Sequence, residues 1–422
     1  MYLQNSSSGQ NLIRLKNNAI NLLSLGLCSL LIFACTSNAK NTTIKPSTAI
    51  SDFSIEKQIS IAQQQLGALV EVARKKNKLP RSVEEDGSIM WARGNFDWTE
   101  GFFPGSLWYL YELTGDEKWK TDAIYFQEFN KDDRFKSNHD LGFIFNNSYG
   151  NGLRLTQNSG YEAMLIDAAN TLMSRFDSSV GCTKSWNVDR GWQSKRDWQF
   201  PVIIDNMMNL ELLFNVSDIT GDKNYADAAI SHANTTIENH FRENFSSYHV
   251  VDYDTITGEV RKKERAQGFS DESSWSRGQA WGLYGYTMCY RFTKDKKYLN
   301  QAMNIANFIL SNPAIDKEDI PYWDYDAENI PDEPRDASAA TITASALIEL
   351  STYTDTKYLQ RAKEMMSTLS SPEYFAEVYN NNFLIKHCVG SIPHGSEIDK
   401  PLNYADYYYL ESLVRLKRLN EI

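Results

Sequence analysis

The chain has 422 residues, and its 54 acidic and 43 basic side chains give a formal net charge of −11 at pH 7. Such an acidic surface argues against binding to nucleic acid, and an acidic ligand would need a local cationic pocket. Hydrophobic residues make up 42% of the chain and aromatic residues 13%, which is enough for a large buried core. The histidines show no HExxH spacing and the cysteines no CxxC pair, so neither a metal site nor a disulfide framework is indicated.

The N-terminus has the features of a targeting segment. Basic residues precede an apolar run, residues 19–34, that is too short for a comfortable membrane span. The sequence IFAC, which ends at Cys35, resembles a bacterial lipobox. It predicts a lipoprotein signal peptide over residues 1–34, lipidation of Cys35 and a polar tether over residues 35–52; an ordinary signal peptide cleaved nearby is the alternative. The protein is therefore expected in the bacterial cell envelope, anchored by lipid and facing the periplasm or the cell surface.

Helical periodicity dominates the rest of the chain. Apolar residues recur at three- and four-residue spacing in eight stretches, whereas strand-like alternation is short, as around residues 248–253. The eight stretches are residues 59–74, 106–113, 161–176, 225–241, 280–292, 298–310, 339–353 and 358–369.

A short signature recurs at the predicted helix ends. A helix stop is followed by a turn rich in Gly and Asp and by an aromatic residue that opens the next helix. It occurs as LTGDEKW (113–119), ITGDKNY (219–225), FTKDKKYL (292–299) and YTDTKYL (353–359). The pattern predicts repeated αα-hairpins of about 50 to 60 residues. We therefore predict an all-α fold with a single domain over residues 53–422, built as a ring of six helical hairpins.

Five polar islands between the helices are rich in Trp, Asp, Gly and Arg. Indole rings cover the apolar face of a pyranose, while carboxylates and amides bind its hydroxyls, so the islands indicate a carbohydrate site. The alternative is that they are packed interhelical loops. The islands are RGNFDWTEGFFPG (93–105), NHDLGF (138–143), SDESSWSRGQAWG (270–282), YWDYD (322–326) and LNYADYYYLE (402–411).

At these islands the sequence resembles glycoside hydrolase family 88, the unsaturated glucuronyl hydrolases. The resemblance spans nearly the whole mature chain and includes FDWTEGFFPGSLWYLYELTGD, NHDLGF, IID, SSYHV, ESSWSRGQAWGLYG, RDASAAT and YADYYYLE in the family's order. It implies an (α/α)6 barrel without a cofactor. It also implies an exo-acting enzyme on lyase-generated oligosaccharides, which carry a uronic acid with a C4=C5 double bond at the non-reducing end. Such an enzyme hydrates the vinyl ether, and the hemiketal formed collapses to release a keto acid.

The resemblance also implies roles for individual residues. Asp205 falls on the family's acid/base aspartate and Asp140 on the second essential aspartate, which holds the sugar hydroxyls. The expected pocket residues are His139, the aromatic walls Trp98 and Trp186, His249, and the uronate-lining Gln267, Trp275 and Arg277. Ala266 departs from the family pattern, since some members carry a histidine there, and this leaves open which groups contact the carboxylate.

The residues themselves leave alternatives for the two aspartates. Asp205 lies within the almost wholly apolar run QFPVIIDNMMNLELLF, residues 199–214. Such surroundings favour the protonated form of a carboxyl group, which suits an acid that gives and retakes a proton. The alternatives are that Asp205 and Asp140 cap helices. Helix spacing places Ile203, Met207, Leu210 and Phe214 on one apolar face, with Asn209 beside Asp205.

The other candidates have structural alternatives as well. Arg277 suits a substrate carboxylate, but an internal salt bridge is the alternative. His249 and the tryptophans could belong to the core. Ser391, Ser396 and Lys400, in GSIPHGSEIDK, could recognise a sulfate on the next sugar, or form a plain surface loop.

Three functions remain open at this point. The favoured reading is removal of an unsaturated uronate from glycosaminoglycan or ulvan fragments. The alternatives are an unsaturated rhamnogalacturonyl hydrolase and a lipid-anchored glycan-binding protein without activity. The expected partners are the oligosaccharide and, through the lipid, a membrane; the sequence predicts no oligomeric state.

Overall fold

The computed structural model describes residues 53–315, 319–376 and 381–420. The signal peptide, Cys35 and the tether lie outside these residues, so those expectations stay predictions. The described residues belong to one compact unit. None of its helices is long and apolar enough to cross a membrane.

Helices dominate the described chain. They are α1 (Ile55–Lys76), α2 (Phe102–Thr114), α3 (Glu117–Gln127), α4 (Asn151–Thr156), α5 (Gly160–Met173), α6 (Asn206–Thr220), α7 (Lys223–His240), α8 (Ser276–Thr293), α9 (Lys296–Ser311), α10 (Ala337–Ser351), α11 (Lys357–Leu369) and α12 (Asn403–Asn420). A π-helix, Gly142–Gly150, runs directly into α4, and 3-10 helices cover Glu128–Phe135, Trp192–Lys195 and Ile392–His394.

The strands are short. They are β1 (Pro80–Val83), β2 (Ile89–Trp91), β3 (Phe176–Asp177), β4 (Cys182–Thr183), β5 (Phe200–Ile203), β6 (Val250–Tyr253), β7 (Val260–Glu264), β8 (Cys388–Ser391) and β9 (Ser396–Lys400). They pair antiparallel as β1–β2, β3–β4, β5–β6–β7 and β8–β9.

Six inner helices stand side by side and close into a ring. Around the ring they are α2, the π-helix with α4, α6, α8, α10 and α12, and α12 returns to pack against α2. Short turns join the inner helices to the outer helices α3, α5, α7, α9 and α11, and α1 packs outside α12 and α2. Short connections make each pair antiparallel. The arrangement confirms the predicted (α/α)6 barrel of six hairpins.

The recurring turn signature works through backbone caps. Gly115 ends α2 in the left-handed region with a φ of 70°, which glycine adopts without a Cβ clash. The Asp116 side chain then accepts the Lys118 backbone N–H at 2.9 Å and caps α3. The same pair of caps recurs at Gly221–Asp222 and at Lys294–Asp295.

The core fills the ring from the inside. Helix α10 is rich in alanine, and its small side chains let α8 and α12 approach on either side. Trp281 and Tyr408 meet near the axis with ring centroids 5.5 Å apart, and both side chains are fully buried. Cys182, Cys289 and Cys388 are also buried, and their thiols form no disulfide.

Most of the short strands lie in the connections that lead into the inner helices. β1 and β2 precede α2, β5 precedes α6, β6 and β7 precede α8, and β8 and β9 precede α12. Because each of these connections ends where an inner helix begins, they gather at one end of the barrel. That end therefore carries most of the short strands of the described chain.

Two local expectations are wrong. The helical spacing from Ile203 does not hold, because Ile203 ends β5 and pairs with Val250, and α6 begins only at Asn206. The polar island at residues 402–411 is not a loop but the first half of α12, where three consecutive tyrosines are buried between neighbouring inner helices.

Candidate functional site

The N-terminal ends of the inner helices meet around one pocket. Trp98, just before α2, has its ring 5.0 Å from Tyr404 of α12 and 5.4 Å from Phe143 of the π-helix. Asp205 stands at the start of α6 and Trp275 at the start of α8. The partial positive charge at helix N-termini favours an anionic ligand at this end of the barrel.

Asp205 occupies the position of a helix cap but does not act as one. Its backbone is already helical, with φ −58° and ψ −28°, and its side chain accepts no N–H from the first turn of α6. The side chain is 14% exposed, and Oδ2 is buried without a hydrogen-bond partner among the described residues. The capping alternative therefore fails for Asp205, whose carboxyl group is left available for chemistry.

His249 faces Asp205 with a defined tautomer. Its Nδ1 accepts the backbone N–H groups of Ala266 and Gln267 at 3.1 and 3.0 Å, so the proton of the neutral ring sits on Nε2. Nε2 lies 3.6 Å from Asp205 Oδ2 and has no other partner in the described chain. His249 thus lies in the pocket, and the backbone N–H of Ala266, where the side chain departs from the family pattern, is one of its two donors.

Asp140 lies at the entrance to the π-helix. Its backbone carbonyl accepts the Ile144 N–H at 3.2 Å, and its own N–H is held by the Asn138 side chain at 2.9 Å. Burial, and then the negative charge of Asp205, raise the pKa of Asp140 well above its usual value, while Arg175 acts in the opposite direction. The two aspartates therefore share one electrostatic environment, as two carboxylates in one pocket must.

His139 and Arg175 complete the surroundings of Asp140. His139 Nε2 lies 3.4 Å from Asp140 Oδ1. Burial, and then the nearby charge of Arg175, lower the pKa of His139 to about 3, so its ring is neutral at ordinary pH. The Arg175 guanidinium donates to the carbonyls of Lys184 and Ser185 at 2.8 Å.

The aromatic residues predicted for the pocket lie around the two histidines. Trp186 is half-buried, with ring centroids 6.2 Å from His139 and 5.9 Å from His249. Trp275 lies on the other side of His249 at 4.7 Å. Trp98 is half-buried at the α2 entrance. The structure thus brings the predicted tryptophans to the same end of the barrel.

Arg277 is committed to an internal ion pair. Its guanidinium is fully buried, bonds Asp336 Oδ2 at 2.9 Å, and donates to the backbone carbonyls of Val389 and Gly390. Its charge also lies 4.6 Å above the ring of Trp275. These contacts are the internal salt bridge that the sequence left open as the alternative to carboxylate binding.

The proposed sulfate loop is also bonded internally. Ser396 Oγ donates to Glu397 Oε2 at 3.2 Å, and Lys400 Nζ lies 3.5 Å from Glu85 Oε2. Ser391 Oγ bonds the Nδ1 atom of His394 at 2.7 Å. These polar groups of the β8–β9 hairpin are therefore bonded to other residues of the protein. Nothing in the hairpin singles out Ser396 or Lys400 as ligand groups.

Sequence reasoning missed Arg175 and the two tryptophans beside Trp186. Trp192 and Trp198 pack against Trp186 with centroids 5.1 and 5.6 Å away. A signal existed, because Trp186, Trp192 and Trp198 follow one another at six-residue intervals. No pattern marks Arg175, a lone basic residue after the apolar stretch of α5.

A cavity of about 530 Å³ lies at the opposite end of the barrel, where the inner helices end. Its arginines are paired, Arg291 with Glu211 and Glu349, and Arg415 with Glu349 and Glu411. None of the site residues predicted from sequence lines this cavity. In the described part of the chain, no three His, Cys, Asp or Glu side chains come together as metal ligands would.

Comparisons with known proteins identify the family of the chain. The family model described as Glycosyl Hydrolase Family 88 matches residues 71–417. An unsaturated glucuronyl hydrolase of Formosa agariphila is 43% identical over 372 residues, covering 86% of this chain and 91% of the relative. An unsaturated chondroitin disaccharide hydrolase of Streptococcus agalactiae is 30% identical over 379 residues, covering 87% and 93%.

A solved structure gives the same picture. The crystal structure of an unsaturated glucuronyl hydrolase specific for heparin superposes with a TM-score of 0.82 at 46% sequence identity. The match covers 87% of this chain and 98% of that one.

Proposed function

The chain belongs to glycoside hydrolase family 88, and on that premise we propose that it removes a 4,5-unsaturated uronic acid from the non-reducing end of lyase-generated oligosaccharides. The observation that carries this proposal is the aspartate pair at the N-terminal end of the barrel. Asp205 is free of capping bonds, and its charge raises the pKa of Asp140. A binding protein without activity would have no need of two buried carboxyl groups that oppose each other.

The reaction is the hydration of a vinyl ether. Asp205, as general acid, delivers a proton to C4, and positive charge develops at C5 and the ring oxygen. Asp205, now a carboxylate, takes a proton from a water molecule whose oxygen bonds to C5. The resulting hemiketal opens at its ring C–O bond, and the hemiacetal exposed at C1 then breaks to release the shortened oligosaccharide and a keto acid.

The neighbouring residues divide the remaining tasks. Neutral His249 presents its Nε2 proton toward Asp205 at 3.6 Å and places a fixed donor beside the acid. Asp140, protonated through its raised pKa, can donate to or accept from a sugar hydroxyl. A bound uronate would add its negative charge to that of Asp205, which favours uptake of a further proton by the aspartate pair.

The substrate class proposed is glycosaminoglycan-derived. It is supported by relatives that act on chondroitin disaccharides or are specific for heparin, and by the helix N-termini that favour an anionic ligand. Ulvan fragments carry the same unsaturated terminus and belong in the same panel. The relatives favour this reading over an unsaturated rhamnogalacturonyl hydrolase, since the two curated relatives compared above carry glucuronyl or chondroitin activities.

We further propose that the mature chain is a lipoprotein of the bacterial cell envelope, attached through Cys35. The support is the lipobox-like sequence after a short apolar run. Metabolic labelling with a fatty acid tests it, because a Cys35→Ser variant that still takes up the label would contradict lipidation there.

The activity is tested by following the ultraviolet absorbance of the C4=C5 bond. Purified protein is mixed with unsaturated disaccharides from chondroitin, heparin, ulvan and rhamnogalacturonan. We expect the absorbance to decay with one or more of the glucuronyl substrates. Persistent absorbance with the whole panel would contradict the proposed function, and decay with the rhamnogalacturonan product alone would favour the rival activity.

A further inference from the structure

Three tryptophans form a continuous wall that leads away from the aspartate pair. Trp186 stacks on Trp198 with centroids 5.6 Å apart and planes inclined by 19°. Trp192 packs edge-on against both rings, at 5.1 and 5.7 Å. At its inner end Trp186 meets His139 and His249, the two histidines that flank the aspartates. A sugar that leaves the pocket on this side would lie against indole rings.

Arg196 lies over the outer part of this tryptophan wall. Its guanidinium carbon is 5.8 Å from the ring centre of Trp192 and 5.4 Å from that of Trp198. Lys262 Nζ donates to the Arg196 carbonyl at 2.6 Å and fixes the backbone there. Contact with aromatic rings occupies the faces of a guanidinium, so its N–H edges stay available for an anion.

The charge of Arg196 is not neutralised by a neighbour. Within the three described ranges no carboxylate lies in ion-pair distance of its guanidinium, although its sequence neighbour Asp197 pairs with Arg261 at 3.5 Å. Other cations near the pocket are engaged, as Arg277 is with Asp336 and Lys400 with Glu85. On a chain of net charge −11, Arg196 is thus a half-buried cation whose charge is left for a ligand.

The β8–β9 hairpin approaches the tryptophan wall from the other side. The ring of His394, at the hairpin turn, lies 5.0 Å from Trp192. Burial lowers the pKa of His394, and the positive charge of Arg196 acts in the same direction. Trp192 therefore contacts His394 of the hairpin, the Arg196 guanidinium and Trp186, and Trp186 in turn contacts His249 of the catalytic pocket. These contacts place Arg196 over the wall that leads into the pocket.

We propose that Arg196 binds a sulfate group on the sugar attached to the unsaturated uronate, while the tryptophan wall supports the ring of that sugar. The inference rests on the proposed function, because the uronate must occupy the pocket beside Asp140 and Asp205. The carboxylate of the uronate then lies in the pocket with its ring, and the anion that remains on the attached sugar of a glycosaminoglycan disaccharide is a sulfate. A planar guanidinium binds such a group with two parallel hydrogen bonds.

The test compares matched sulfated and unsulfated unsaturated disaccharides by the decay of their absorbance. We expect the wild-type chain to prefer the sulfated substrate. In Arg196→Gln the ratio of kcat/KM for sulfated over unsulfated substrate should fall about 10- to 100-fold, chiefly through KM. Arg196→Lys should restore part of the ratio, since it keeps the charge but not the planar fork. Added salt should lower the wild-type preference.

Lys195→Gln is the matched control. Lys195 precedes Arg196, is exposed, and carries the same charge without a ring contact. Lys195→Gln should keep the wild-type ratio of kcat/KM for sulfated over unsulfated substrate. This result would distinguish a specific contact of Arg196 with the sulfate from a general attraction between positive charge and an anionic substrate. Equal efficiencies of the wild type on both substrates, or equal ratios in Arg196→Gln and the wild type, would overturn the sulfate contact and leave the proposed function standing. If the wild-type chain is inactive on both substrates, the sulfate contact and the proposed function are both contradicted.

Discussion

Asp205 Oδ2 and His249 Nε2 lie 3.6 Å apart, and neither atom has a hydrogen-bond partner among the described residues. Two backbone N–H groups hold the far side of the imidazole, so the ring cannot turn away without losing both bonds. The imidazole beside the carboxyl group is thus oriented before substrate arrives, so the entropic cost of ordering that ring is met in folding and not in binding.

Asp205→Asn should reduce kcat by about 100- to 10,000-fold, because an amide cannot serve as the general acid. Stability should change little, since the Asp205 side chain caps nothing. Steady-state kinetics and thermal denaturation measure the two effects. The control is Asp222→Asn at the start of α7, where the side chain does cap the helix and Asn replaces it well. Full activity in Asp205→Asn would refute the assigned mechanism.

His249→Gln should lower kcat roughly tenfold or more, because it removes the proton that faces Asp205. His232→Gln is a matched control, for His232 is likewise buried and its Nδ1 accepts a backbone N–H, from Thr183 at 3.0 Å, but it lies away from the pocket. The control should lose stability and keep kcat. Equal kinetic losses in the two variants would point to a merely structural His249.

Arg175→Met should change the pH profile of kcat/KM. The positive charge of Arg175 lowers the pKa of Asp140, so its removal raises that pKa further. The limb of the profile that reports the aspartate pair should move toward alkaline pH. Arg175→Lys keeps the charge and should leave that limb in place, while losing the bonds to the Ser185 carbonyl. An unmoved limb in Arg175→Met would contradict this positioning role.

Arg277→Gln and Asp336→Asn should each destabilise the fold by about 3–5 kcal/mol, because each strands a buried charge. The double variant should cost much less than the sum of the two. Urea denaturation measures these terms. If Arg277 instead binds the uronate, Arg277→Gln would raise KM in a protein of normal stability, and Asp336→Asn would not share the defect.

Glu100→Gln should become more stable than the wild type as pH rises. Burial, and then the hydrogen bond with Asp133, raise the pKa of Glu100 to about 9. The folded chain therefore holds a proton that the unfolded chain loses near 4.5. The stabilisation that protonated Glu100 gives the wild type is fully present below pH 4.5. It is lost as the pH rises toward 9, at roughly 1 kcal/mol per pH unit. Because glutamine does not ionise, the Glu100→Gln variant does not lose this stability as the pH rises.

Glu112→Gln is the control of opposite sign. Arg154 and Arg418 hold the pKa of Glu112 below its usual value, against its burial. The stability it contributes is present above the unfolded pKa and is lost as pH falls. The Glu112→Gln variant should therefore be less stable than the wild type at neutral pH. Parallel pH curves for Glu100→Gln and the wild type would disprove the raised pKa.

Local chemistry made much of the fold predictable from sequence. The Gly and Asp turns could be read because a left-handed glycine and an aspartate cap act within a few residues, as at Gly115 and Asp116. Apolar spacing could be read for the outer helices, which bury one face. It failed for the first half of α12, whose polar and tyrosine residues are buried on all sides.

Long-range pairing was beyond such reasoning. Arg277 meets Asp336 at a separation of 59 residues and Val389 at 112, so its neutralisation depends on how the ring closes. The residue types alone allowed either a substrate contact or an internal pair. By contrast, the family resemblance placed Asp140 and Asp205, whose shared electrostatics the folded chain then displayed.

The π-helix between Gly142 and Gly150 sets the angular register between Asp140 and the inner helix that carries it. A π-helix takes more residues per turn than an α-helix, so deleting one residue would let this segment rewind as α. The turn that carries Asp140 would then rotate by about 100° relative to the inner helix that follows it. Asp140 would leave the pocket while the barrel closed as before. A one-residue deletion in this π-helix is therefore expected to keep the fold and abolish the hydrolase activity.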